Sequence, residues 1–151
     1  MESNRELAIR LFEQIRSDFS HLRMELDPKP DNVDVTMDIP KQTGLAFKMN
    51  LNLQEDELHL NAGDLFWVEW FPCTDSKKAA AYLDAVNGLL SGRHRIVENY
   101  VFGKPATASL QRQKNGKWIS IARWGIFWTM LIPWKRTTQV IRNVDISRPA
   151  Q

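Results

Sequence analysis

Apolar residues along this chain recur first at helical spacing and then in alternation. Leu7, Leu11, Ile15, Phe19, Leu22 and Leu26 follow at steps of three and four, the stripe of an amphipathic helix. Ser3-Asn4-Arg5-Glu6 stands before it as a capping box, and Pro28 and Pro30 close it, so the spacing predicts a helix over 4–26. Then the period changes to two. Val33, Val35, Met37 and Ile39 alternate with Asp34, Thr36 and Asp38; Leu45, Phe47, Met49, Leu51 and Leu53 alternate with Ala46, Lys48, Asn50 and Asn52. Such alternation belongs to strands with one face on a core and one in water. Leu58, Leu60 and Ala62 begin a further strand, and LFWVEWF (65–71) is apolar on nearly both faces.

A second helix follows Pro72. Thr74 or Asp75 caps it, Ala79, Leu83, Val86 and Leu90 share one side, and Gly92 ends it. RIVENYVF (95–102) and 106–113 read as strands, and Asn115-Gly116 joins the latter to 118–124 as a hairpin. GIFWTMLIPW (125–134) then runs without a charge between Arg123 and Lys135-Arg136. A membrane-spanning helix needs about 20 apolar residues, so this run is predicted as a buried inner strand, with 137–144 adding one more.

These elements predict an α+β fold: two helices packed on one face of a largely antiparallel, curved sheet of about seven or eight strands. An internal α-β4 duplication is suggested by two Phe-Trp pairs. Phe66-Trp67 stands before Pro72 as Phe127-Trp128 stands before Pro133, with Gly63 and Gly125 just ahead. The pseudo-repeats would be 1–72 and 73–144, with 145–151 a frayed tail. The order of helix, strands, helix, strands is broadly similar to that of type III secretion chaperone-like domains. That is a likeness of topology with no shared motif, and a fold does not fix an activity.

Composition adds limits. A chain of 151 residues, 43% hydrophobic and 25% charged, is expected to be one domain with an ordinary core. Cys73 is the only cysteine, which excludes an internal disulfide and a cysteine-rich zinc site. The acidic start of MESNRELAIR does not read as a secretory signal, and cytoplasmic residence is the expectation. His21, His59 and His94 are scattered, with no metal-binding pair; surface positions are expected for the first two. No nucleophile elbow, phosphate loop or dinucleotide fingerprint occurs. No cofactor or metal is expected, and the chain reads as non-enzymatic. A helix start can activate a thiol such as Cys73, but no base accompanies it.

Two carboxylates interrupt apolar strands. Glu69 and Glu98, if desolvated, would be candidate acids or bases; the plainer account has each pointing outward or pairing with Arg95 or Arg123. Six tryptophans supply aromatic surface or core. Simple alternation puts Trp118 and Trp124 on one face with Ser120 and Ala122 between, a shallow recess. Charge is the clearest clue. From residue 104 onward nine Lys or Arg stand against Asp145 alone, whereas residues 1–103 hold 11 basic and 17 acidic groups. Asymmetry of this kind points to a partner of complementary charge, although basic groups also protect terminal strands from edge-to-edge pairing.

The first functional expectation is therefore a module that binds another protein, or a second copy of itself, through an aromatic-basic surface in residues 104–136. Trp118, Arg123, Trp124, Trp134, Lys135 and Arg136 are its expected contacts. A second reading is a carrier or enzyme for a small apolar ligand, with a Trp-walled pocket holding Glu69, Glu98 and Arg123. Single-stranded nucleic acid, gripped by cations and stacked on aromatic rings, is the third.

Overall fold

A computed structural model describes residues 1–125 and 131–143. The first helix, α1, spans Asn4–Asp18 and starts with the expected capping box. Glu6 N donates to Ser3 Oγ at 3.2 Å and Ser3 N donates back to Glu6 Oε2 at 2.8 Å. Its apolar stripe buries Ala8, Leu11, Phe12 and Ile15. The helix is shorter than the 4–26 predicted. Phe19 and Leu22 continue the spacing inside a turn, where Leu22 N donates to Phe19 O at 2.9 Å. The Gln42 side chain then takes both backbone groups of Arg23, donating to its carbonyl at 3.0 Å and accepting from its N–H at 2.8 Å. Contacts distant in sequence thus override a local helical pattern.

Five strands follow: β1 (Glu25–Asp27), β2 (Val35–Ile39), β3 (Met49–Gln54), β4 (Glu57–Ala62) and β5 (Phe66–Trp70). They pair in chain order as an antiparallel meander. Val35, Met37, Ile39, Leu51, Leu53, Leu58 and Leu60 line the inner face and are fully buried. The predicted strand over 45–53 begins only at Met49. Leu45 and Phe47 keep their burial as plugs in a loop, which Asn143 secures by donating to Gly44 O and accepting from Ala46 N.

Helix α2 spans Ser76–Ser91. Asp75 caps it, accepting from Lys77 N and Lys78 N, and Gly92 ends it at φ 79°. Four strands complete the chain: β6 (His94–Val101), β7 (Lys104–Lys114), β8 (Lys117–Gly125) and β9 (Arg136–Arg142). Asn115 and Gly116 both take positive φ, as a type I′ hairpin turn requires.

The α+β class holds, with antiparallel pairing throughout, but there are two sheets rather than one of seven or eight strands. The second has the order β8-β7-β6-β9. The reason is strand valence. A strand has two hydrogen-bonding edges, and those of β6 are taken by β7 and β9, so β5 stays an edge of the first sheet. Each sheet follows a helix, but pairing is consecutive in the first while β9 returns beside β6 in the second. One apolar cluster joins the layers: Ile96, Ala108 and Leu110 of the second sheet pack with Phe12, Tyr82 and Leu89 of the helices and the inner face of the first.

The uncharged run is the other correction. Residues 126–130 and 144–151, which include the predicted frayed tail 145–151, lie outside the described residues. The described remainder is not a buried strand: Gly125 ends β8, Leu131 is 86% exposed and Trp134 37%. The place beside β6 goes instead to β9, whose Ile141 faces the core. Among the described residues no helix is long and apolar enough to cross a membrane.

Candidate functional site

The outer face of the second sheet follows from register. Arg95, Val97 and Asn99 of β6 stand opposite Arg142, Val140 and Thr138 of β9, and opposite Gln111, Ser109 and Thr107 of β7. Across β7 lie Ser120 and Arg123 of β8. Between Leu110 and Gln111 the register shifts so that Ile121 has no partner, a β-bulge. The bulge reverses the side-chain alternation and separates two tryptophans that simple alternation places together. Trp118 faces outward. Trp124 pairs with Ala108 and packs on the core.

On this face Arg95 and Arg142 are directly opposite one another, and both guanidiniums lie over the Trp118 ring, 4.2 and 5.2 Å from its centroid. Arg95 also donates to Gln111 Oε1 at 2.9 Å and Arg142 to Gly92 O at 2.7 Å, so both are held in place. Arg123 is exposed on the same face, and register adds Arg136 at its far end. Trp134 stacks on Phe102 with centroids 5.9 Å apart, and Lys135 O accepts from Phe102 N. Arg136 donates to Ile132 O at 2.8 Å. The six expected contact residues therefore divide. Trp118 and Arg123 belong to the face, Trp134, Lys135 and Arg136 gather at its far end, and Trp124 lies beneath. Sequence reading did not find Arg95 and Arg142 as partners of Trp118. Their strands are distant in sequence, and only the pairing of β9 with β6 makes them neighbours.

Glu69 and Glu98 are not brought together. Glu69 stands on the outer face of the first sheet, opposite His59. Glu98 points inward, is 1% exposed and accepts from the Tyr100 hydroxyl at 2.7 Å. Its other oxygen, Oε1, has no hydrogen-bond partner among the described residues. Of the plainer account, that each points outward or pairs with Arg95 or Arg123, Glu69 does lie on an outer face, whereas Glu98 is turned inward and both arginines occupy the opposite face of its sheet. Gly63, at φ 64°, lets the β4–β5 turn approach here; a Cβ on it would lie 2.9 Å from Ile141 Cδ1 and 3.3 Å from Glu98 Oε1. The bond to Glu98, with burial adding to it, pushes the Tyr100 phenol up to about 12.

Two hollows of about 550 and 420 Å³ meet at Lys41, Lys48 and Gly63, and neither is lined by Glu69 or Glu98. Among the described residues no three metal-binding side chains converge. His21 is exposed as expected but lies past the end of α1. His59 is 6% exposed rather than a surface group; its ring contacts Glu57 Oε2 at 2.9 Å and the Trp67 edge.

Cys73 is fully buried, and burial followed by the Asp56 charge pushes its thiol upward, away from the thiolate. Native protein is expected to react with a thiol reagent at least about tenfold more slowly than unfolded chain. Equal rates in buffer and in denaturant would contradict that burial.

Compared with known proteins, the chain matches no family model, and neither a curated protein nor a solved structure is significantly similar to it.

Proposed function

We propose that this chain is a protein-binding module whose second sheet presents an arginine face to an acidic protein surface. One observation carries the reading: Arg95 and Arg142 stand directly opposite each other over Trp118 on a face where the described residues place no carboxylate. Like charges directly opposite on a sheet are destabilising. Of the residues in β6, β7, β8 and β9 only Glu98 is acidic, and it is turned inward and buried. Protection of sheet edges does not account for this arrangement, because Arg95 belongs to an interior strand. An acidic partner would relieve the repulsion, and guanidiniums already oriented by Gln111 and Gly92 lose little freedom on forming paired hydrogen bonds with carboxylates. Base stacking is less well served, since guanidiniums already lie over the Trp118 ring.

The test is fluorescence anisotropy with a labelled glutamate-rich peptide, and a labelled single-stranded oligonucleotide as the contrast. Peptide affinity is expected to fall as salt rises. Arg95→Ala with Arg142→Ala should weaken it at least about tenfold, two charge-assisted contacts at roughly 1 kcal/mol each. Absence of peptide binding at low salt, or binding of the oligonucleotide alone, would remove the proposal.

A further inference from the structure

We infer that the acidic surface met by the arginine face is the outer face of the first sheet in a second copy of this chain, so that copies associate head to tail. The inference rests on the reading above and names its partner. By register, Glu25, Asp27, Asp38, Glu57 and Glu69 all lie on that outer face, and its strands contribute no Lys or Arg to it. The strands of the two sheets thus turn opposite signs outward, with Arg23, Lys41 and Lys48 of adjoining loops at the rim of the acidic face, where Arg23 lies 3.8 Å from Glu25. Trp67, 39% exposed, stands in the same row as Asp38, Asn50 and Asn61. His59 and Trp67 meet edge to face at 5.3 Å. An exposed indole two residues along β5 from Glu69 suits an incoming guanidinium, which gains both ion pairing and cation–π attraction.

Charge also selects the symmetry. A two-fold dimer through the arginine face would set Arg95 and Arg142 against their own copies, and one through the acidic face would oppose carboxylates. Only the heterologous arrangement, basic face on acidic face, is complementary. Size sets the strength. Five strands at about 4.8 Å spacing and five residues at about 3.3 Å give a footprint of roughly 400 Å², half the roughly 800 Å² per partner of a standard stable interface. The contact is therefore weak, led by charge and sensitive to salt.

Sedimentation velocity of the whole chain tests this over a concentration series at low and high salt. The mean mass should rise with concentration at low salt and return to the monomer at high salt. Arg95→Ala with Arg142→Ala removes one half of the contact, and Glu25→Gln with Glu69→Gln the other. Each variant alone should stay monomeric, while an equimolar mixture should form a 1:1 complex, because each retains the face the other lacks. Arg123→Glu replaces the first variant should its circular dichroism show a loss of fold. A wild-type monomer at every concentration that still binds the glutamate-rich peptide would overturn self-pairing and leave the peptide reading standing; failure of both measurements would remove both. A mixture of well-folded variants that stays monomeric would also overturn the inference.

Discussion

Gly88→Ala is expected to destabilise the protein by about 2 kcal/mol, although the same change inside a helix ordinarily stabilises by roughly 1 kcal/mol. Gly88 lies in α2 where the His94 imidazole packs on the helix: a Cβ there would fall 2.0 Å from His94 Cδ2 and 2.3 Å from Cγ. His94 cannot yield cheaply. It is 5% exposed, its Nε2 contacts Asp84 Oδ2 at 3.1 Å, and it begins β6, two residues after the Gly92 cap. Moving the ring shifts the start of the strand on which the second sheet is built. Urea unfolding followed by circular dichroism measures the cost, and the melting temperature should fall by about 4–8 °C. In a His94→Ala background the sign should reverse, since the methyl then meets space. Destabilisation that persists there would refute the steric account.

Tyr100→Phe is the second large effect, an expected loss of about 2–3 kcal/mol near neutral pH. The phenol supplies the hydrogen bond to Glu98 Oε2, and Oε1 already has none among the described residues. Removing the donor leaves a buried carboxylate with neither oxygen paired, which costs far more than the bond itself contributes. Adding Glu98→Leu to Tyr100→Phe should recover much of the loss, because replacing both partners by apolar groups is nearly neutral. Strict additivity of the two changes would show that the pair does not interact.

The same bond predicts a pH dependence. Tyr100 is raised in the folded state from an ordinary 10 to about 12. A raised group contributes stability that is complete below its unfolded value and lost as pH climbs through its folded value. Stability should therefore fall between about pH 10 and 12, and Tyr100→Phe should flatten that limb. Some slope remains from Tyr82, which is fully buried and pushed well above its usual range by desolvation. An unchanged alkaline limb in Tyr100→Phe would count against the Glu98 contact.

Both effects come from close side-chain packing within α2 and β6 that apolar periodicity does not record, and that is where sequence reading reached its limit. Near-neighbour chemistry was legible. Ser3 and Glu6 close their box, Asp75 and Gly92 bound α2, and Asn115-Gly116 turns β7 into β8. The alternation Val35, Met37, Ile39 was likewise a true sign of a sheet with one covered face. The candidate surface was legible only as a list of charges. Arg123 and Trp118 belong together, but through a bulge at Ile121 that shifts β8 by one residue. Nothing in the local pattern around Ile121 marks it.

What the sequence determined by itself was the set of short-range decisions: which segments are amphipathic, where caps and turns fall, and that positive charge collects late in the chain. Such decisions depend on residues within a few positions, and their periodicity records them. Tertiary structure decided the rest. It ended α1 at Asp18 and tied the backbone of Arg23 beyond it to Gln42, filled both edges of β6, and exposed Leu131 and Trp134 where apolar character alone predicted a core strand. The physical reason is competition for partners. Each strand has two edges and each sheet one inner face, and which segment takes them depends on all the claimants at once.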